Sequence, residues 1–425
     1  MIVPGLAPVV LSIIVAGSIL LMLVRPRDIP EAYWIGGGVS VLLVLRLITP
    51  QLAIRAAGES LDVCLFLAGM MLLSEVARER GVFDWVSFKA VRAAGGSCTR
   101  LFALVYIAGT LVTMFMSNDA TAVVLTPAVL GAVRRTNVQP LPYVFVCAFI
   151  ANAASFLLPI SNPANLVVFQ GAMPALPQWM FAFSLSSVLS IGVTFMVLRF
   201  LFREHLDEPL QQHAVPVSLN ADGKLALAGI GLMVVVLLTA SSFGKDLGLP
   251  SCLAALAVTA AICIRGRNSP LSLLSEISWS TLVLVAGLFI MVDAVESIGA
   301  MSYLKSWLEW AQHFGAPGEL MTGFAVGIAN NLVNNLPLGL IAGNTVHAVH
   351  ASRSLASAVM IGVDLGPNLS ITGSLATILW LIALRKEKLN VSFWDFLKVG
   401  VIAMPVALFA SLSGAILMRL LVTGS

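Results

Sequence analysis

Charged residues are scarce in this sequence of 425 residues: they make up 11% of it, whereas a typical soluble domain contains roughly 25%. Hydrophobic residues account for 59%. This composition excludes a water-soluble globular protein. A chain of this length has room for about ten membrane-spanning helices of about 20 residues each, with little left over. We therefore expect one membrane domain and no separate soluble domain.

The motifs of common enzyme classes are also missing. The sequence has no GxxxxGK[ST] nucleotide loop, no HExxH and no GxSxG, and its membrane aspartates do not fall in a GxGD sequence. We expect a transporter rather than an enzyme, with no cofactor, no metal and no nucleic-acid partner; a membrane-embedded protease is a distant alternative. The cysteines lack metal-ligand spacing and are predicted to be small apolar side chains. They are Cys64, Cys98, Cys147, Cys252 and Cys263.

The distribution of basic residues predicts the orientation of the chain. The first apolar stretch, about Ile13 to Val24, has no basic region before it and is expected to be a span rather than a signal peptide. Ten spans and two hairpins, with the N-terminus outside, place most of the 24 basic residues on the inner side. Twelve spans with both termini inside are also compatible with hydropathy.

Two apolar runs, 101–134 and 318–350, are too long for one span and are interrupted halfway by polar residues. Basic residues flank both ends of the first run, which places both ends on one side of the membrane. Non-helical backbone at membrane depth must be buried in protein or line a cavity. We therefore predict two re-entrant helical hairpins. Their predicted tips are Ser117-Asn118-Asp119 and Asn334-Asn335.

Two further apolar runs, 142–169 and 355–384, contain clusters of Pro, Asn, Ser, Thr and Gly. Such residues interrupt a helix and free its backbone carbonyl and amide groups. We predict two broken helices whose half-helix ends converge with the hairpin tips near the midplane, where they bind a small polar solute. The candidate substrate-binding residues are Ser117, Asn118, Ser161, Asn162, Asn334, Asn335, Thr372, Gly373 and Ser374.

Local similarities indicate an internal duplication. Glu75 matches Asp293, Ser117 matches Asn334 and Leu158 matches Leu369, each pair separated by about half the chain length. We predict two repeats, each with five spans and one hairpin, so that the odd number of crossings inverts one copy relative to the other. The first repeat covers 1–203, a linker covers 204–223, and the second repeat covers 224–425.

Two carboxylates, Asp119 and Asp364, fall at membrane depth. Ionisable side chains there are rare and mark ion or proton pathways, so we expect both to take part in proton coupling. Glu75, Asp293 and Glu296 lie near predicted span ends and are expected to be interfacial or structural.

Three segments resemble the ArsB-type arsenite/antimonite permeases of the ion transporter superfamily: Ser117 to Thr121, Asn334 to Pro337, and Val363 to Trp380. The resemblance covers essentially the whole chain. It implies export of neutral arsenite or antimonite hydroxides across the bacterial inner membrane by an elevator-like motion. The driving force would be proton antiport or a soluble ATPase partner, and a homodimer is expected by analogy. Asn368 and Leu338 depart from the Lys and Thr that are common in related permeases.

Under this hypothesis, polar side chains at the tips and breaks hydrogen-bond the trihydroxide, and Asp119 or Asp364 takes up a proton in exchange. A sodium-coupled carboxylate transporter or a sodium/proton antiporter of the same superfamily is the alternative. The ligands proposed for the trihydroxide are Ser117, Asn118, Asn335 and Thr372.

Overall fold

The computed structural model describes residues 6–170, 172–207, 217–266, 273 and 277–423. These residues form helices and short helical turns, and no β-strand occurs among them. The protein is therefore an all-α polytopic membrane protein, as predicted. Residues 208–216 of the predicted linker lie outside the described ranges.

In the first half of the chain, two helices, a bent helix pair and a short amphipathic helix precede the helical hairpin. An interrupted helix and a long closing helix follow it. Helices α3 and α4 form a pair bent by 47°. The helices are α1 Ala7–Val24, α2 Glu31–Val44, α3 Pro50–Glu59, α4 Leu61–Glu79, α5 Val82–Ala94, α6 Cys98–Phe115, α7 Thr126–Arg134, α8 Leu141–Ala153, α9 Pro163–Val168, α10 Leu176–Leu201 and α11 Arg203–Leu206.

The second half repeats this order of elements. A short amphipathic helix precedes the hairpin in each half, and each follows a glycine with positive φ, Gly81 (72°) or Gly299 (73°). The helices are α12 Ala221–Ser242, α13 Gly248–Gly266, α14 Trp279–Ser297, α15 Ser302–Gln312, α16 Ala316–Val333, α17 Asn335–Ala348, α18 Arg353–Leu365, α19 Leu375–Lys386 and α20 Phe393–Thr423. That the two halves are inverted copies remains a prediction.

Within the described ranges, 7 helices are long and apolar enough to cross a membrane, or 8 if the bent pair of α3 and α4 is one span. The prediction of ten spans also counts α2, which has only 14 residues, and the two interrupted helices. One of the seven, α6, is the first arm of the first hairpin. Length and hydropathy alone therefore miss the interrupted spans, because each break divides an apolar run into two short helices.

Small residues let the helices approach closely, as expected where no hydrophobic effect drives helices together in lipid. Gly69 of α4 lies against the backbone of α13 at Ser251. Gly414 of α20 lies against α10 at Ser186, and the Ser411 hydroxyl donates to the Ser186 carbonyl at 3.0 Å. Two tight helix pairs, α4 with α13 and α10 with α20, therefore flank the hairpins and interrupted helices.

Ion pairs join helix ends that the positive-inside prediction places on one side of the membrane. Arg80 and Arg265 lie 3.8 and 3.3 Å from Asp222, which brings together the ends of α4, α12 and α13. Arg134 lies 3.3 Å from Glu387 and joins the ends of α7 and α19. These contacts agree with the predicted grouping of these ends on one side of the membrane, and the side itself remains a prediction.

Candidate functional site

The tip of the first hairpin lies between Phe115 and Ala120, and its side chains satisfy the backbone amides there. The Ser117 hydroxyl accepts from the Ala120 amide at 3.1 Å, and the Asn118 side-chain oxygen accepts from the Asp119 amide at 2.9 Å. Ser117 and Asn118 are buried, whereas Asp119 is half-buried. Asp119 is therefore the tip residue with access to open space.

A π-helical segment, Ala120–Leu125, connects this tip to α7. The Thr121 hydroxyl lies 2.8 Å from the Thr113 hydroxyl of the opposite arm, and the Thr126 hydroxyl donates to the Thr121 carbonyl at 3.1 Å. Single π-helical turns inside helices are rare and occur frequently at functional sites. The wide turn and the Thr113–Thr121 contact hold the two arms of the hairpin together below the tip.

The tip of the second hairpin is a single residue, Asn334, whose φ of 80° is unusual for a residue with a side chain. Its side-chain nitrogen donates to the Thr372 carbonyl at 3.2 Å, which attaches the tip to the second interrupted helix. The neighbouring Asn335 is buried, and its side-chain oxygen has no partner in the described part of the chain. Strained backbone of this kind clusters at functional sites.

The first break separates α8 from α9, and Pro159 and Pro163 prevent a continuous helix there. Ser161 donates to the Met114 carbonyl of the first hairpin at 3.1 Å, and the Asn162 side-chain oxygen caps α9 by accepting from the Ala164 amide at 3.0 Å. The Asn165 side-chain nitrogen satisfies the carbonyls that the break frees. These are Ser155 at 2.9 Å, Leu158 at 3.2 Å and Pro159 at 3.2 Å.

The second break separates α18 from α19 and is held by residues of the second hairpin. The Thr372 hydroxyl donates to the Asn331 carbonyl at 2.9 Å, and the Ser370 hydroxyl donates to the Asn331 side-chain oxygen at 2.7 Å. Gly373 packs against the backbone of Pro367, where a side chain would not fit, and Ser374 caps α19. The hairpin and the break therefore form one unit.

Side chains of the two breaks hydrogen-bond to each other across the molecule. Asn162 donates to Asp364 Oδ1 at 2.7 Å, and Asn152 donates to the Asn368 side-chain oxygen at 2.9 Å. Asn368, one of the two departures from related permeases, in turn donates to the Phe149 carbonyl at 3.1 Å. All four side chains are buried. The two halves of the chain therefore meet through neutral amides and one carboxyl group.

A cavity of about 150 Å³ opens beside the first tip. Ser117 and Asp119 of the tip, Pro163 of the first break and Leu375 of the second break form part of its wall. The opposite wall comes from α4 and the start of α14. It includes Leu67, Met70, Met71, Ser74, Glu75, Ser278 and Thr281. This cavity lies where both interrupted helices face the helices that flank them.

The structure places the predicted substrate-binding and proton-coupling residues in three settings. Ser117 and Asp119 face the cavity, whereas Asn334 lines a separate space of about 10 Å³ that shares Leu375 with it. The others lie in the tips and breaks and hydrogen-bond or pack within the protein. They are Asn118, Ser161, Asn162, Asn335, Thr372, Gly373, Ser374 and the carboxylate Asp364.

Glu75 is the acidic residue of this cavity that sequence analysis assigned to the interface. Its side chain is 13% exposed and forms a two-point ion pair with Arg78, one turn further along α4. The sequence feature that could have indicated a role for Glu75 was its match with Asp293 in the second half. Asp293 occupies the corresponding position of α14 and pairs with Arg55 at 3.3 Å.

Among the described residues, no group of three or more His, Cys, Asp or Glu side chains could hold a metal ion. The cavity wall, as far as it is described, contains no cysteine. Thiolate coordination of a solute in this cavity is therefore excluded for the residues that line it.

Apolar spanning helices, two interrupted helices that meet at their breaks, and a cavity beside them with two carboxyl groups in a largely apolar wall define a multi-pass membrane transporter. A family model described as citrate transporter (CitMHS) matches residues 12–363, and the chain belongs to this family. The match includes both hairpins and the first break and ends at residue 363, just before the second break.

The chain is similar to three curated bacterial relatives over most of its length. An arsenical pump membrane protein of Yersinia enterocolitica is 26% identical over 432 residues, covering 96% of this chain and 100% of the relative. One of Escherichia coli is 26% identical over 364 residues, covering 83% and 85%. An uncharacterized transporter of Mycobacterium tuberculosis is 26% identical over 373 residues, covering 84% and 86%. These relatives agree with a multi-pass protein of the bacterial inner membrane.

The fold is also similar to a solved structure. The YdaH transporter of Alcanivorax borkumensis aligns with a TM-score of 0.54 and 14% sequence identity, covering 88% of each chain. This similarity supports the arrangement of helices and carries no information on the substrate.

Proposed function

We propose that this transporter exports arsenite and antimonite as neutral trihydroxides in exchange for protons. The observation that carries the proposal is the charge of the cavity wall. Glu75 and Asp119 contribute carboxyl groups, and Ser74, Ser117 and Thr281 contribute hydroxyl groups. Among the lining residues that the structure describes, none is Lys, Arg or His.

A wall of this composition selects against anions. A carboxylate substrate would face the Asp119 carboxyl group with no basic side chain in the described wall, and like charges in close contact oppose binding. The second carboxyl group, that of Glu75, is paired with Arg78, which lies outside this wall. A neutral trihydroxide can instead donate hydrogen bonds to the carboxyl groups. With the hydroxyl groups of the wall it can act as either donor or acceptor. The cavity volume of about 150 Å³ also lies below the roughly 300–1,000 Å³ of sites for drug-sized ligands, which suits a solute of few atoms.

The coupling part of the proposal follows from the substrate's lack of charge. A membrane potential does no work on a neutral solute, so uphill export needs a coupled ion or an ATPase partner. One proton entering across 100 mV supplies about 2.3 kcal/mol, which supports a gradient of roughly fifty-fold. We assign proton carriage to Asp119, at the cavity, and to Asp364, between the breaks.

The proposed motion carries the hairpins and interrupted helices past α4, α13 and α14. Its support is the position of the cavity, because one wall belongs to the first tip and the breaks and the other to α4 and α14. In this mechanism Ser117 and Asp119 contact the solute. Most of the remaining candidate residues hold the moving unit together: Asn118, Ser161, Asn162, Asn334, Asn335, Thr372, Gly373 and Ser374.

The test is substrate selectivity in proteoliposomes that contain the purified protein. We expect arsenite exchange that excess citrate does not inhibit. Asp119→Asn should abolish proton-driven uptake, and Glu75→Gln should weaken the discrimination against anions. Glu387→Gln is the matched control, because Glu387 is exposed and pairs with Arg134 away from the cavity. Inhibition by citrate in the unaltered protein would refute the charge argument.

A sodium-coupled carboxylate transporter is the second candidate, because the family model carries the description citrate transporter. Sodium-stimulated citrate uptake without arsenite uptake would establish it. Arsenite movement that appears only when ATP and a soluble ATPase are added would show that ATP hydrolysis, rather than the proton, is the driving force.

A further inference from the structure

We propose that Asn162 is a positioning residue for the Asp364 carboxyl group. Through Asn162, the protonation state of Asp364 affects the first hairpin. This inference rests on the proposed function in one respect, the assignment of the proton as the coupled ion. It changes the role expected from the sequence, where Asn162 was a candidate ligand of the substrate.

The orientation of the Asn162 amide is fixed at both of its polar atoms. Its oxygen accepts from the Ala164 amide at 3.0 Å, and its nitrogen donates to Asp364 Oδ1 at 2.7 Å. Rotating the amide by half a turn would place its nitrogen against the Ala164 N–H group, where two donors would meet. Asn162 is therefore not free to bind a substrate.

This fixed donor also determines where a proton can bind on Asp364. Because Oδ1 accepts from Asn162, the proton binds at Oδ2, which has no hydrogen-bond partner among the described residues. The Ser155 hydroxyl also lies beside the Asp364 carboxyl group, but its hydrogen is directed at the Asn152 carbonyl, 2.8 Å away. A buried acceptor without a partner requires an explanation, and proton uptake at Oδ2 supplies one.

The surroundings of Asp364 contain no compensating charge. Its side chain is fully buried, and no ion pair to it occurs in the described part of the chain. The helices packed against α18 carry few titratable groups, and none of them pairs with Asp364 in the described part of the chain. Those groups are Tyr143 and Cys147 of α8, Glu319 of α16, His347 of α17, and Asp395, Lys398 and Arg419 of α20. Asn162 and Ser155 are therefore the polar side chains beside the carboxylate, and Asn162 is the one whose donor is directed at it.

Proton uptake changes the strength of this contact. A hydrogen bond to a carboxylate is roughly twice as strong as one to a neutral carboxyl group. When Oδ2 takes up a proton, the hydrogen bond between Asn162 and Asp364 weakens. Because the same Asn162 amide caps α9, that cap weakens as well. The preceding residue, Ser161, donates to the Met114 carbonyl in the first hairpin, and the following residue, Pro163, lines the cavity. A direct path of contacts therefore links Asp364 to the tip.

The first test is the pH profile of arsenite/proton exchange in proteoliposomes. Asn162→Ala removes the donor that favours the charged carboxylate, so the profile should move to more alkaline pH by about one unit, with the arsenite KM unchanged. Asn152→Ala is the matched control, because Asn152 also bridges the two breaks but contacts Asn368 rather than Asp364. It should leave the profile in place.

A swap tests the pairing itself. Asp364→Asn alone should abolish proton exchange, whereas Asn162→Asp combined with Asp364→Asn restores one carboxyl group bonded to one amide and should recover part of it. An Asn162→Ala variant that raises only the arsenite KM would overturn the inference, because Asn162 would then be a substrate ligand.

Infrared difference spectroscopy of the purified protein makes the test independent of the substrate. The carboxyl band that disappears in Asp364→Asn should titrate at a different pH in Asn162→Ala and at the original pH in Asn152→Ala. An unshifted band in Asn162→Ala would refute the positioning role even if the protein moves a solute other than arsenite. A shifted band without arsenite transport would keep this inference and refute the proposed function.

Discussion

Asn165→Ala should destabilise the protein more than any exposed asparagine substitution, because Asn165 satisfies the carbonyl groups of the first break. Asn165 is fully buried, and its side-chain nitrogen donates to the carbonyls of Ser155, Leu158 and Pro159 at 2.9, 3.2 and 3.2 Å. Helical amides cannot replace this donor, since Pro159 and Pro163 have no N–H group.

The magnitude follows from the number of donors lost. The amide has two hydrogens, so two of the three carbonyls receive a full hydrogen bond. The Leu158 carbonyl also accepts from the Ser161 amide at 3.1 Å, so the substitution leaves the Ser155 and Pro159 carbonyls without a donor among the described residues. Each buried carbonyl left without a donor costs about 1–3 kcal/mol, whereas polar contacts measured inside membrane proteins average about 0.6 kcal/mol. We therefore expect a loss of about 1–4 kcal/mol in the free energy of unfolding.

Unfolding by denaturant in detergent measures this loss, with Asn344→Ala as the matched control. Asn344 is half-buried and makes one long hydrogen bond, 3.5 Å, to Glu296. Its substitution should change the free energy of unfolding by less than about 0.5 kcal/mol. Equal effects of the two substitutions would refute the conclusion that Asn165 holds the break together.

Four further substitutions, at three positions, test the packing by unfolding in detergent. Trp380→Ala should cost about 3–5 kcal/mol, and Trp380→Phe less, because Phe keeps the ring but loses the 3.0 Å bond to the Val144 carbonyl. Gly69→Val should cost about 1–3 kcal/mol, since its side chain would strike the backbone of α13. Glu319→Gln should cost about 1.5–3 kcal/mol, since it removes the charged partner of Arg419. Losses near zero would contradict the described packing.

The hairpins and breaks could be located from the sequence because polar residues inside a long apolar run have few structural explanations. The predicted run 101–134 corresponds to α6 and α7, which extend from Cys98 to Arg134. The predicted broken helix 355–384 corresponds to α18 and α19, which extend from Arg353 to Lys386. One end coincides, at residue 134, and the other three differ by two or three residues. The helices begin earlier than the apolar runs because their first turns are polar and follow the capping residues Ser97 and Ser352.

The partners of the polar residues could not be predicted. Asn162 and Asp364 are 202 residues apart in the sequence, and nothing in either local motif indicates that they hydrogen-bond. The sequence therefore predicted nine tip and break residues as substrate-binding candidates without separating ligands from structural residues. In the structure, many of these side chains form hydrogen bonds to backbone groups that the breaks leave without helical partners. A local sequence pattern does not reveal these partners.

Glu75 illustrates the same limit. An acidic residue three positions before Arg78 near a predicted span end is typical of an interfacial ion pair, and this pair is present. Only the packing of α4 against the first tip brings Glu75 into the wall that it shares with Asp119. The charge of the cavity is thus a property of tertiary structure.

Arsenite uptake by everted membrane vesicles, with a proton gradient imposed and then collapsed, tests the central claim most directly. Everted vesicles turn export into uptake. We predict accumulation that depends on the gradient, is insensitive to sodium and is lost in Asp119→Asn and Asp364→Asn. Vesicles that take up no arsenite but accumulate a carboxylate when sodium is present would contradict the account.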